Sequence, residues 1–152
     1  MSYNEMFNPE LVRVAVVATS KEKAFQEAAS ILLEKGFVKD SYLTGLLTRE
    51  ESFPTGLMTQ FLNIALPHAD PEHIIKPFVM IVRLQEEVVF QQMGDNQEMK
   101  TKDLFFLGIK DGKGQSGLLA LFMELFMDEE FVTEFKNESN PEKVYQSFKR
   151  KI

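Results

Sequence analysis

Two histidines, His68 and His73, are the only imidazoles in the chain, and there is no cysteine. Thiol nucleophiles, thiolate metal sites and disulfides are therefore excluded. His68 lies in Ile64-Ala65-Leu66-Pro67-His68-Ala69-Asp70, directly after a strand-like run and a proline. Pro67 removes a backbone donor and fixes its own φ, which ends strand pairing and sets where the next side chain points. A neutral imidazole near pH 7 offers a nucleophilic nitrogen. Phosphoryl transfer to it needs mainly positioning and charge neutralisation, with no metal cage or nucleotide pocket required. Arg49 is the complementary group, because a guanidinium can clamp phosphate oxygens with two parallel hydrogen bonds. Taken singly, a Pro-His pair is most often a surface turn, and an arginine closing a helix is most often a solvated charge facing the helix dipole.

Other chemistry-bearing patterns fail on spacing. His68, Asp70 and His73 hold zinc-type ligands but match no standard metal motif. Gly112-Lys113 resembles a phosphate loop, yet Leu107 stands where that loop needs glycine and Gly114 where it needs Ser or Thr. That region reads as a turn over Asp111 to Gly114. The acidic pairs Glu50-Glu51, Glu86-Glu87 and Glu129-Glu130 read as solvated charge. Phe105, Phe106, Phe122, Met123 and Phe126 read as core, with some available to a docking surface.

The elements that must position these groups follow from periodicity. Leu11 to Ala18 reads as a strand, and Thr19 with Glu22 as a capping box opening a helix with Phe25, Ala28, Ala29 and Leu32 inward. Gly36 ends that helix, and a second begins near Asp40 or Ser41 with Leu43, Leu46 and Leu47 inward. Glu51 to Thr59 reads as a loop. Asn63 to Leu66, Phe78 to Leu84, Val88 to Phe90 and Leu104 to Ile109 read as strands. Leu118, Leu121, Phe122 and Leu125 mark an amphipathic helix. Asp128 caps a short helix with Phe131 and Phe135, and Asn140-Pro141 opens a last one with Val144, Phe148 and Ile152 aligned. Strands interleaved with helices predict an α/β or α+β domain with a mixed sheet flanked by helices.

The 152 residues, 44% hydrophobic and 26% charged with a formal net charge of −6, suit one domain over 1–152. Such an acidic chain has no general attraction for nucleic acid or anionic membranes. Met1 to Pro9 lacks a signal-peptide pattern, and the longest apolar stretch, Gly117 to Met123, is too short to span a bilayer. The expectation is a cytoplasmic protein.

The joined pattern of Arg49-Glu50, Pro54-Thr55-Gly56-Leu57 and Ile64-Ala65-Leu66-Pro67-His68 resembles the signature of the fructose/mannitol-type enzyme IIA family of the sugar phosphotransferase system. Phe53 to Leu57 and Asp70 look most like its galactitol-type branch. The resemblance implies a mixed sheet flanked by helices and no cofactor. It implies that His68 Nε2 takes a phosphoryl group from the phosphocarrier HPr and passes it to a cysteine of a IIB component. The membrane IIC component, taking up a sugar or sugar alcohol such as galactitol, is then served indirectly. Arg49 is implied to bind the phosphoryl group, with Thr55 and Gln115 as supporting donors. One departure stands out: many members carry a second histidine where this chain has Gln115 or Ser116, and glutamine donates a hydrogen bond but adds no positive charge. The alternative is a regulatory binding module of the same fold controlling a partner protein.

Overall fold

The apolar runs become the strands of one sheet. The computed structural model describes residues 3–152, so the first two residues of the expected domain, and of the polar Met1 to Pro9 stretch, lie outside the described residues. The five strands are β1 (Phe7–Val16), β2 (Gly56–Met58), β3 (Asn63–Ala65), β4 (Phe78–Gln91) and β5 (Glu98–Gly108). Their order across the sheet is β1-β4-β5-β3-β2. β1 runs parallel to β4 and β3 parallel to β5, whereas β4/β5 and β2/β3 are antiparallel. The sheet is therefore mixed.

Helices cover both faces. α1 (Lys21–Glu34) and α2 (Tyr42–Ser52) lie on one, and α3 (Gly112–Leu125), α4 (Glu129–Asn137) and α5 (Pro141–Lys151) on the other. Period-two alternation divides the strands between two cores. Phe78, Met80 and Val82 of β4 and Leu104 and Phe106 of β5 join Phe25, Leu32 and Leu46. Val79, Ile81, Phe105 and Leu107 join Phe122, Phe131, Phe135 and Phe148. The Phe105 ring, fully buried, is tilted against Phe122, Phe135 and Phe148 and edge-on to Phe126, at centroid separations of 5.0–5.8 Å. Burying rings this size stabilises by roughly 1.5–3 kcal/mol each.

The expected elements are present with boundaries that differ: β1 runs Phe7–Val16 against the expected Leu11 to Ala18, and β5 begins at Glu98, six residues before Leu104, because Glu98 to Thr101 pair with Val88 to Gln91 of β4. The cap of α1 is Ser20, whose side chain accepts from Lys23 N, one residue after the expected Thr19. Gly36 ends α1 with φ at +81°, a conformation glycine adopts without strain. The expected loop from Glu51 to Thr59 is shorter: α2 continues to Ser52, and Gly56–Met58 pairs with β3. Phe78 to Leu84 and Val88 to Phe90 are one strand, interrupted in register between Arg83 and Val88 where Glu86 and Glu87 face solvent. The expected turn over Asp111 to Gly114 is the start of α3, with the Asp111 carboxylate accepting from Gly114 N at 2.6 Å.

Candidate functional site

Strand direction gathers the candidate residues at one end of the sheet. β3 and β5 run parallel, and His68 pairs with Leu107 just beyond β3. The C-terminal ends of both strands therefore share an edge, and the residues entering β2 return to it, since Gly56 stands opposite Ala65. Pro67 offers no N–H, but its carbonyl accepts from Leu107 N at 3.0 Å, so the residue before His68 is held by β5.

His68 is 7% exposed. Its Nδ1 lies 2.8 Å from the carbonyl oxygen of Leu66. A carbonyl only accepts, so Nδ1 carries the proton and Nε2 carries the free lone pair. Burial pushes the imidazole below the ordinary histidine range. The Leu66 carbonyl opposes that shift, the positive charge of Arg49 adds to it, and Asp70 opposes it more weakly. The neutral ring, in the tautomer with Nε2 open, is the stable form at pH 7.

Arg49, in the last turn of α2, donates from Nη1 to Asp70 Oδ1 at 3.1 Å, and its guanidinium carbon lies 5.2 Å from the Phe53 ring centre. Its Nε is buried and makes no hydrogen bond. Arg49, Asp70, Thr48, Ser52 and Phe53 line an open cleft that continues along α2 to Ser41 and His73. His73 Nδ1 is 2.7 Å from Ser41 Oγ, and its ring lies so close to Gly45 that a Cβ there would come within 2.7 Å of it. This histidine is tied to the start of α2. Among the described residues no group of three or more His, Asp or Glu side chains is arranged to hold a metal ion.

Glu50 corrects the sequence reading. Instead of being solvated it is 3% exposed, accepting from Thr55 N at 2.8 Å and from Thr55 Oγ1 at 2.6 Å. Burial raises its pKa, and the two Thr55 donors hold it back. The signal was present in the spacing: Glu50 follows Leu46 by four residues, on the inward stripe of α2. Thr55 thus commits both donors to Glu50, while its own carbonyl accepts from Leu66 N at 3.1 Å. Thr55 joins the end of α2 to the strand that delivers His68. Gln115 sits partly buried in the first turn of α3, its N–H donating to Asp111 O at 3.2 Å, and no hydrogen bond joins it to His68 or Arg49. That turn is latched from the N-terminus by Tyr3, whose hydroxyl donates to Gly114 O at 2.9 Å and packs over Gly117.

A neutral histidine with Nε2 free, beside an incompletely paired arginine at the C-terminal end of β3, has the nucleophile and the cation that phosphoryl acceptance requires. The sequence model of the family described as "Phosphoenolpyruvate-dependent sugar phosphotransferase system, EIIA 2" matches residues 5–151, and the chain belongs to that family. Its members of the fructose/mannitol type are phosphotransferase components that move phosphoryl groups in sugar transport. The galactitol-specific EIIA component of Escherichia coli is 28% identical over 108 residues, covering 71% of this chain and 72% of that protein. In fold, the chain matches enzyme IIA in the complex of mannitol enzyme IIA with phosphorylated enzyme IIB from Escherichia coli, with a TM-score of 0.74 at 21% identity over 92% of this chain and 94% of that one. It likewise matches the nitrogen regulatory protein IIA-Ntr of Neisseria meningitidis, with a TM-score of 0.77 at 20% identity over 95% and 97%. No helix among the described residues is long and apolar enough to cross a membrane.

Proposed function

We propose that His68 is the phosphoryl carrier, accepting the group on Nε2 from phospho-HPr and passing it to a cysteine of a IIB component in the cytoplasm. The observation that carries this reading is the Leu66 carbonyl on Nδ1, which leaves the Nε2 lone pair as the open one. In the forward step that lone pair forms the new P–N bond while the donor's bond to phosphorus breaks, its electron pair leaving with the donor. The Nδ1 proton stays in place. The ring gains positive character, and the Leu66 carbonyl stabilises it because it accepts from the protonated nitrogen. Release to a thiolate reverses the sequence, and the ring recovers its lone pair. Arg49 neutralises charge on the phosphoryl oxygens through donors that a lysine would not present in the same plane. Thr55 acts by tying α2 to the His68 strand, and Gln115, in the first turn of α3, is the candidate further donor to the phosphoryl oxygens.

The galactitol-specific relative supports a sugar alcohol as the cargo of the membrane IIC component, which this chain reaches only through IIB. The fold shared with IIA-Ntr supports a second reading, a regulatory module whose phosphorylation state controls a partner protein. Intact-protein mass after incubation with phosphoenolpyruvate, enzyme I and HPr separates these readings. The parent should gain one acid-labile phosphoryl group and His68→Gln none, and added IIB should then discharge the parent. A gain in both proteins would move the site to His73. Retention of phosphate in the presence of a competent IIB would favour the regulatory module.

A further inference from the structure

The ion pair between Arg49 and Asp70 sets two requirements against each other. Arg49 is the cation whose charge acts on His68, and an anion already sits on it: Asp70 Oδ1 at 3.1 Å from Nη1. The same arginine keeps Nε buried and without a hydrogen bond, so the guanidinium is only partly satisfied by Asp70. A buried N–H lacking an acceptor is costly, and one carboxylate oxygen on Nη1 does not relieve it. A phosphoryl group, with up to three acceptor oxygens and about two negative charges, can engage Nε together with a terminal nitrogen. Asp70 is two residues past His68, on the same short segment, and more than half of its side chain is open to solvent. It can swing into water without disturbing the core.

We propose that Asp70 is a displaceable counter-ion: it holds Arg49 in place while His68 is bare, and it gives way to the phosphoryl group when His68 is charged. This rests on His68 being the carrier. Asp70 is a positioning residue, because it acts through Arg49. Its effect has a definite sign. Pairing with Asp70 stabilises the bare state. In the charged state the released carboxylate remains close to phosphoryl oxygens of like charge. Both contributions lower the stability of the phosphorylated form relative to the bare form, which raises its tendency to pass the group on. The protein is thus poised to be a donor, and Arg49 alone would hold the phosphoryl group more tightly.

The test is the ratio of phosphorylated to bare protein at equilibrium with a fixed phospho-HPr to HPr ratio, read by intact mass for the parent, Asp70→Asn and Asp70→Glu. Asp70→Asn should raise that ratio by about three- to fivefold, the scale of an exposed ion pair. Asp70→Glu, which keeps the charge, should stay near the parent. Inorganic phosphate titrated onto the bare proteins, followed by the Arg49 Nε–H resonance, should bind more tightly to Asp70→Asn by a similar factor. A purely structural role for Asp70 would alter thermal stability and leave both ratios unmoved. If the parent accepts phosphate and Asp70→Asn shows an unchanged or lower ratio, the counter-ion role is overturned while the carrier reading stands. If the parent accepts no phosphate, the carrier reading falls, and this inference falls with it.

Discussion

Burial of an imidazole is a stability cost that becomes useful when the ring must remain neutral. The native value of His68 lies below that of the unfolded chain, about 6.5 for a free histidine. On acidification the unfolded chain therefore takes up its proton first, so the contribution of His68 to stability is present above about pH 6.5 and is lost as pH falls towards the native value. Replacing His68 with glutamine removes this dependence. Urea midpoints measured at pH 7 and pH 5.5 should show the parent losing more stability than His68→Gln over that interval. Equal losses would mean that the ring is not buried in its neutral form. Glu50 and Asp103 shift in the opposite sense, both raised by burial, and cancel in this comparison because both proteins contain them.

Short elements set the site's dimensions. β2 is only three residues, yet it begins directly after Thr55, on which the Glu50 tether depends. Gly56 lies against the end of β4, where an added Cβ would stand 2.6 Å from the Gln91 carbonyl oxygen and 2.6 Å from the Met99 sulfur. The methionine could move aside, but the backbone oxygen belongs to a paired strand. Gly56→Ala should destabilise by about 1–3 kcal/mol, the usual cost of overpacking a close contact. It should also slow phosphoryl acceptance through displacement of Thr55. A melting curve and a single-turnover phosphorylation rate test the two effects separately. A variant with parental stability and rate would show that β2 tolerates the shift without disturbing His68.

Across the whole molecule, the sheet and the C-terminal helices are joined by one charged strap. Arg83 of β4 donates from Nε to Asp103 of β5 at 3.0 Å, from Nη2 to the Phe135 carbonyl at 2.6 Å and from Nη1 to the Glu138 carbonyl at 2.7 Å. Its guanidinium carbon also sits 4.5 Å from the Phe135 ring centre. One side chain therefore satisfies a buried carboxylate and the end of α4 together. Arg83→Met should cost about 3–5 kcal/mol, because the carboxylate of Asp103 is left buried without its partner. That residue, already raised by burial, would then rise further. The folded protein would bind a proton that the unfolded chain does not, so the deficit should shrink as pH falls from 7 to 5. Urea unfolding at both pH values checks the sign, and a deficit that grows on acidification would contradict it.

Much of this architecture was legible in the residues themselves. Valine-rich runs, Gly36, Asp128 and Asn140-Pro141 each impose a local preference, and local preferences survive folding where the packing agrees with them. His68 and Arg49 were singled out by residue type together with the Thr55-Gly56 and Pro67 punctuation between them. The tie of Glu50 to Thr55, the pairing of Arg49 with Asp70 and the tautomer of His68 were not legible. Arg49 meets Asp70 only when α2 and the segment after β3 come together. The hydrogen bonds of Glu50 to Thr55 and of His68 to Leu66, though local in sequence, depend on backbone directions set where β3 pairs with β2 and β5. The sequence alone determined which groups could react and which elements would carry them. The order β1-β4-β5-β3-β2 decided which groups meet, because parallel pairing of β3 with β5 sets His68 beside the strand leading into α3. Only that assembled surroundings could decide charge states, since the cost of burying a charge and the partners that offset it do not exist until the chain has closed around them.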